Sequence, residues 1–150
     1  MDIKDVKEFT EKHYELLLNA DPDRDLVDSY LKRSKSCELV TDNKMIGLIV
    51  LLPTRPETIE IVNISVSDSE QGMGYGKKLL EYAIKYSKDE GYKTIEIGTG
   101  TTSFGQLYLY QKVGFRLSYI DKDFFIRHYN EEIEKNGLIL KDMVRLSMDI

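Results

Sequence analysis

The chain has 150 residues, 41% hydrophobic and 31% charged, a balance that suits a globular protein with one core and excludes a disordered or fibrous chain. Lys plus Arg number 21 against 26 Asp plus Glu, a formal net charge of -5, which argues against non-specific nucleic-acid binding because that relies on basic surface. The single cysteine, Cys37, excludes an intramolecular disulfide and fits a reducing compartment. No apolar run approaches the roughly 18 residues of a membrane helix, and the charged N-terminal stretch lacks the apolar centre of a signal peptide. The expectation is one cytoplasmic domain over residues 1–150, without membrane or nucleic-acid partners.

From about Lys4 to Asn19 the pattern is helical, with Val6, Phe9, His13, Leu16 and Leu17 near one face. The stretch Asn19 to Asp23 interrupts it, and a second helix is expected from about Asp23 to Arg33. Two β-like stretches then flank Thr41-Asp42-Asn43-Lys44, a turn-forming cluster, and read as a hairpin. Pro53 and Pro56 bracket a loop. Residues 57–66 alternate strongly, with Ile59, Ile61 and Asn63 opposite Glu60, Val62 and Ile64, and read as a long strand. A glycine-rich segment follows, then a helix to about Asp89 that Gly91 ends. A strand ending in Ile97-Gly98-Thr99-Gly100, a short helix ended by Gly114, and two strands around Phe115–Tyr129 and Leu138–Ile150 complete the order. Hairpins in the first half and strand–helix alternation in the second imply a mixed α/β sheet with helices on both faces.

The segment Glu70-Gln71-Gly72-Met73-Gly74-Tyr75-Gly76-Lys77-Lys78 gives up side chains at the mouth of a helix. Glycine there costs conformational entropy, so the bare backbone should serve a purpose. The first N–H groups of a helix lack internal partners, and the helix dipole adds partial positive charge. A phosphate or pyrophosphate is the natural guest, and Lys77 adds a charge at the rim. A plain tight turn would need one glycine, not three. The dinucleotide fingerprint Gly-x-Gly-x-x-Gly does not match the Gly-x-Gly-x-Gly spacing, and Glu96 lies inside a strand pattern rather than at a strand's end. A P-loop needs Ser or Thr after Gly-Lys, where Lys78 stands.

The same segment resembles the acetyl-CoA-binding signature of the GCN5-related N-acetyltransferase (GNAT) family: Gln or Arg, two residues, Gly, one residue, Gly or Ala. Gln71, Gly74 and Gly76 match it. A second block, Tyr110-x-x-x-Gly114-Phe115, is similar to the family's Tyr-x-x-x-Gly-Phe element, and Asn63-Ile64-Ser65-Val66 resembles family strands ending in Asn-Ile-Ala-Val. The likeness is firm over about Glu57 to Phe115. It implies a mixed, mostly antiparallel, twisted sheet. Two departures stand out. The family's opening strand is missing or confined to a few residues, and Ser103 replaces the Asn that usually opens the helix before the Tyr.

The resemblance implies acetyl-CoA as cosubstrate, no metal, and direct acetyl transfer to a primary amine of a small molecule or peptide. Gln71, Gly72, Met73, Gly74, Tyr75, Gly76 and Lys77 would hold the pyrophosphate, and Ser65 and Val66 the pantetheine arm. Ser103 would approach the cofactor, and a backbone N–H near Val66 would face the developing oxyanion. Tyr110 matches the family's acid for the leaving thiolate, a phenol having a pKa of about 10. Its plainer reading is a packing tyrosine. Glu60 is the candidate base, acting through water, against the reading of a solvated strand-face charge. His128 is a strand-end outsider, His13 structural, and Cys37 has no visible partners for a covalent carrier. An acidic rim (Asp121, Asp123, Glu131, Glu132, Glu134, Asp142) could draw a cationic amine, though a solvated hairpin loop explains it as well. A non-catalytic acyl-CoA sensor on the same scaffold is the alternative, and a homodimer is left open.

Overall fold

The computed structural model describes residues 1–150. In chain order the elements are β1 (Asp2–Asp5), α1 (Glu11–Ala20), α2 (Arg24–Leu31), β2 (Lys35–Thr41), β3 (Lys44–Arg55) and β4 (Thr58–Val66). A 3-10 turn at Asp68–Glu70 leads to α3 (Tyr75–Asp89), β5 (Thr94–Gly100), α4 (Phe104–Val113), β6 (Arg116–Asp121) and α5 (Phe124–His128). The chain ends with β7 (Glu134–Lys135), β8 (Leu138–Ile139) and β9 (Met143–Asp149). Seven strands form one sheet in the order β1-β2-β3-β4-β5-β9-β6, while β7 and β8 make a separate hairpin. Only β4 and β5 run parallel; the other pairings are antiparallel. This is the mixed, mostly antiparallel sheet the sequence implies.

Helices cover both faces. Leu79, Leu80 and Ala83 of α3 and Tyr110 of α4 pack on Ile49, Leu51, Ile59, Ile61, Ile95 and Ile97. On the opposite face, Leu16 and Leu17 of α1 and Val27 and Tyr30 of α2 pack on Leu48, Val50 and Leu52. Strand β3 feeds both layers, which is why its sequence is a continuous apolar run rather than an alternating one. Each such Leu, Ile or Val side chain, fully buried, contributes about 1.5–3 kcal/mol.

The expected helix from Lys4 is corrected. Asp2–Asp5 pairs antiparallel with Cys37–Val40 as the edge strand β1, so the opening strand exists and is four residues long. The helix starts only after Thr10, whose backbone N–H donates to His13 Nδ1 at 3.0 Å. That contact fixes the start of the helix about one turn after the residues that satisfy their backbone against β2. The expected Pro53–Pro56 loop is corrected too: β3 runs through Pro53 to Arg55, and a register shift there absorbs the missing N–H. The turn shrinks to Pro56 and Glu57, the latter at φ +59°. The expected strand Phe115–Tyr129 stops at Asp121, because Asp123 takes φ +62° and opens α5. Its partner, expected over Leu138–Ile150, divides into β8 and β9.

One irregularity shapes the whole centre. Val50 pairs with Asn63 but Leu51 pairs with Ile61, so Val62 is an extra residue, a β-bulge. The expected alternation therefore breaks. Val62 and Asn63 both serve the α1/α2 side, and Ile64 and Val66 join Ile61 on the α3 side. Parallel pairing with β5 stops at the same place: it covers Thr58↔Thr94 to Ile61↔Ile97 and no further. β4 then continues to Val66 and β5 to Gly100 as diverging, mutually unpaired strands.

Candidate active site

The glycine turn closes the open end of this cleft. Gly72 and Gly74 adopt φ +80° and +86°, a conformation only glycine takes readily, while Gly76 is helical. Gly74 is the N-cap of α3, has no side chain to cap with, and the first turn contains no acid. Lys77 and Lys78 occupy that turn instead. Most helices place carboxylates there to balance the dipole; this one leaves its free N–H groups and partial positive charge for an outside anion. A left-handed Gly74 followed by helical Tyr75 turns successive amides toward one side, a nest that suits phosphate oxygens. Gln71 Nε2 donates to the Val66 carbonyl at 3.1 Å, tying the turn to the end of β4. A shallow groove between α3 and α4 extends the basic character with Lys77, Lys85, Lys88 and Lys112.

The sequence-marked residues gather around this feature unevenly. Ser65 is buried and Val66 half-buried on the unpaired stretch of β4. Gln71, Met73 and Lys77 are exposed along the turn, Tyr75 and Gly76 partly covered. Helix α4 lies against this corner: Leu109 Cδ2 is 3.5 Å from where a Gly76 Cβ would stand. The next residue, Tyr110, is 4% exposed and stacks edge-on to Phe115. Burial alone pushes its phenol pKa up, and no protein group hydrogen-bonds its hydroxyl. Ser103 is the α4 N-cap position, yet its side chain caps nothing.

Glu60 lies on the α1/α2 face, not in bulk solvent. Arg145 Nη1 of β9 donates to Glu60 Oε2 at 2.8 Å, with the two side chains 23% and 16% exposed. Burial opposes the charge on Arg145, but Glu60 and, more distantly, Tyr119 and Glu96 outweigh it and raise its pKa. Glu96 pairs with Arg55 at 2.7 Å. Further along, Asn63 Nδ2 donates to the Leu17 carbonyl and to the Tyr30 hydroxyl, both at 3.0 Å. Tyr30 and Tyr129 hydroxyls donate to the Asp21 carboxylate at 3.3 and 2.8 Å. This chain of bonds ties β4, α2, the end of α1 and the segment after α5 together.

Other residues fall away from the cleft. Cys37 is fully buried, burial raises its thiol pKa, and its nearest partners are Tyr82 and Asp5. His13 donates Nε2–H to Glu38 at 3.3 Å and is structural, as its spacing implies. His128 ends α5 rather than a strand and packs its ring against Phe124. In the acidic segment, Asp121 pairs with Arg127, and Asp142 accepts the Asp123 N–H. Sequence reasoning missed Arg145, Asp21, Tyr30 and Tyr129. Arg145 alternates with Val144 and Leu146 and looks like any outward strand charge; only the strand order brings it beside Glu60.

Against known proteins, residues 4–115 match the family model described as the Acetyltransferase (GNAT) family. The uncharacterized N-acetyltransferase YvbK of Bacillus subtilis is 51% identical over 144 residues, spanning 96% of this chain and 93% of its own. A Bacillus subtilis acetyltransferase solved in complex with CoA superposes with TM-score 0.95 at 50% identity, covering 99% of this chain and 97% of the other. A GNAT acetyltransferase from Elizabethkingia anophelis, solved with acetyl-CoA bound, gives 0.96 at 43% identity, covering 99% and 97%. No helix is long and apolar enough to cross a membrane, and no group of three or more His, Cys, Asp or Glu is arranged to hold a metal ion. With half of the chain exceeded by the family match and close relatives covering nearly all of it, this chain belongs to the GNAT family of N-acetyltransferases.

Proposed function

We propose that this enzyme transfers an acetyl group from acetyl-CoA directly to a primary amine of a small molecule or peptide. The observation that carries the reading is the parting of β4 from β5 beside an uncapped, acid-free helix N-terminus. An extended pantetheine arm fits as an added strand along Ser65 and Val66, where β4 has no partner on the β5 side. The amides from Gln71 to Lys77 receive the pyrophosphate, with Met73 and Tyr75 flanking it and Lys112 adding charge. Ser103 sits at the head of α4 as a further cofactor contact. The CoA and acetyl-CoA complexes of the two structural neighbours support this assignment.

Three roles complete the chemistry. A backbone N–H near Val66 stabilises the oxyanion that forms when the amine attacks the thioester carbonyl. Tyr110 gives its proton to the departing thiolate; its raised pKa keeps the phenol neutral and able to donate at neutral pH. Glu60 takes the amine's proton through water, using Oε1, because Oε2 is held by Arg145. The acceptor approaches from the α1/α2 face, opposite the cofactor helix.

Thiol release with acetyl-CoA and an amine panel tests this reading. Tyr110→Phe should lower kcat by about 100-fold, the lower end for a lost general acid, with CoA affinity within about twofold of the parent. Undiminished turnover in that variant would remove Tyr110 from the mechanism.

A further inference from the structure

Arg145 uses little of its hydrogen-bonding capacity. Nη1 donates to Glu60 Oε2, and that is the only bond its guanidinium makes within the chain. Its Nε–H is buried with no partner at all. A buried unmet donor on a cation is costly, so this guanidinium is held by far less than it can bond. Nη2 also has no partner in the chain and, unlike Nε, is not closed off from the surface, so it is the donor a ligand carboxylate can reach beside Nη1.

Its placement is specific. Arg145 stands opposite Gly98 across the β5–β9 pairing, and a Cβ on Gly98 would lie 3.2 Å from Arg145 Nη1 and 2.7 Å from Met143 Sδ. The missing side chain therefore lets the guanidinium cross β5 to reach β4. Glu60 immediately precedes Ile61, and Gly98 immediately follows Ile97, the last paired residues of their strands. The ion pair thus links β4 to β9 across β5, next to the point where β4 and β5 separate. Glu60 Oε1, beside it, has no partner in the chain. Glu96 Oε2 accepts from Arg55, which gives that carboxylate a cation of its own. Two acids and two bases leave this patch with no net charge, so it suits a ligand that carries one charge of each sign.

We propose that the acceptor bears a carboxylate close to its amine, as an α-amino acid does, with Arg145 gripping the carboxylate and Glu60 facing the amino group. This rests on the acetyl-transfer reading above. Arg145 acts here as a specificity residue. A phosphate dianion fits less well, because two carboxylates stand within the same patch.

The full-length chain is assayed with acetyl-CoA and α-amino acids, each beside its carboxamide. At least one acid should show kcat/KM about 30-fold above its amide, the gain expected from a charge-assisted bond, expressed mainly in KM. Arg145→Gln should close that gap while CoA affinity stays unchanged, and Arg145→Lys should recover part of it. Circular dichroism and CoA titration check that both variants fold. A second measurement needs no turnover: calorimetric titration of the CoA-loaded protein with N-acetyl amino acids and their carboxamides. Only the acids should bind, and Arg145→Gln should abolish it. Amides turned over as well as acids, a preference that survives Arg145→Gln, tighter binding of aminomethylphosphonate, or no binding by any N-acetyl acid would each overturn the proposal. Robust turnover of amines without carboxylates would sink it and leave acetyl transfer standing. Arg145-dependent binding of acids with no turnover of any amine would uphold the carboxylate grip of Arg145 and overturn the ligand's role as acceptor together with the transfer reading.

Discussion

Asp21 lies at the end of α1 with 8% of its surface exposed, held by the Tyr129 and Tyr30 hydroxyls and the Asp23 N–H. Burial pushes its carboxyl pKa up, and the hydroxyl and amide donors only partly offset that. The folded state therefore holds this proton more tightly than the unfolded chain, whose Asp titrates near 3.9. Stability from this group is present at low pH and declines as pH rises through the window above that value. Asp21→Asn removes the titration. Urea unfolding should show the variant gaining on the parent between about pH 3.5 and about pH 7. A constant difference across that range would mean that the site does not carry the burial penalty. Neither Asp21 nor its tyrosines could be singled out from the sequence. Tyr129 reaches Asp21 across 108 positions, and no local spacing encodes such a contact. Tyr110 and Glu60 could be singled out as candidates because a motif and a strand pattern pointed at them; Arg145 had neither.

At the scale of elements, the turn before α3 separates two kinds of glycine that look alike in sequence. Gly74 has positive φ with no atom within 4 Å of a hypothetical Cβ, so Ala there suffers backbone strain and no clash. Gly74→Ala should cost about 1–2 kcal/mol of stability. Gly76 lies in the helix, where Ala loses less entropy, and Leu109 at 3.5 Å leaves room for a methyl group. Gly76→Ala should be neutral or stabilise by up to about 1 kcal/mol. Chemical denaturation of the ligand-free variants checks both; equal losses would mean that the turn, not φ, sets the cost. Glycine spacing made the turn visible, whereas the different demands on its glycines needed dihedral angles. Likewise the hairpin turn, α3 and β5 were readable from punctuation and periodicity. The bulge at Val62 was not, because Ile61 and Val62 are adjacent apolar residues and periodicity does not say that they point to opposite cores with one residue unpaired. Nor was β1, whose pattern merges with the helix behind it until Thr10 and His13 mark the boundary.

For the molecule as a whole, the same bulge divides the sheet. One half is β1 to β4, the other β5, β9 and β6, and they share only the four residue pairs from Thr58↔Thr94 to Ile61↔Ile97. By contrast β5 and β9 share seven. Beyond Ile61 and Ile97 the halves are joined through α3 and α4 packed on one side. A ligand lying in the gap and bonding β4 would act as the strand that is missing there, so its binding should strengthen the joint between the halves. Linkage gives the size: CoA at 100 times its dissociation constant stabilises the folded state by about 2.7 kcal/mol. For a chain of this length that is a rise in Tm of roughly 5–11 °C. The location is the sharper prediction. Amide hydrogen exchange should slow most at residues 62–66, at the Gln71–Lys77 turn and at the start of α4, with little change in α1 and α2, which pack on the far face. Protection spread evenly over both layers would show that CoA raises global stability without bridging the gap, and protection confined to α1 and α2 would place its site on the wrong face.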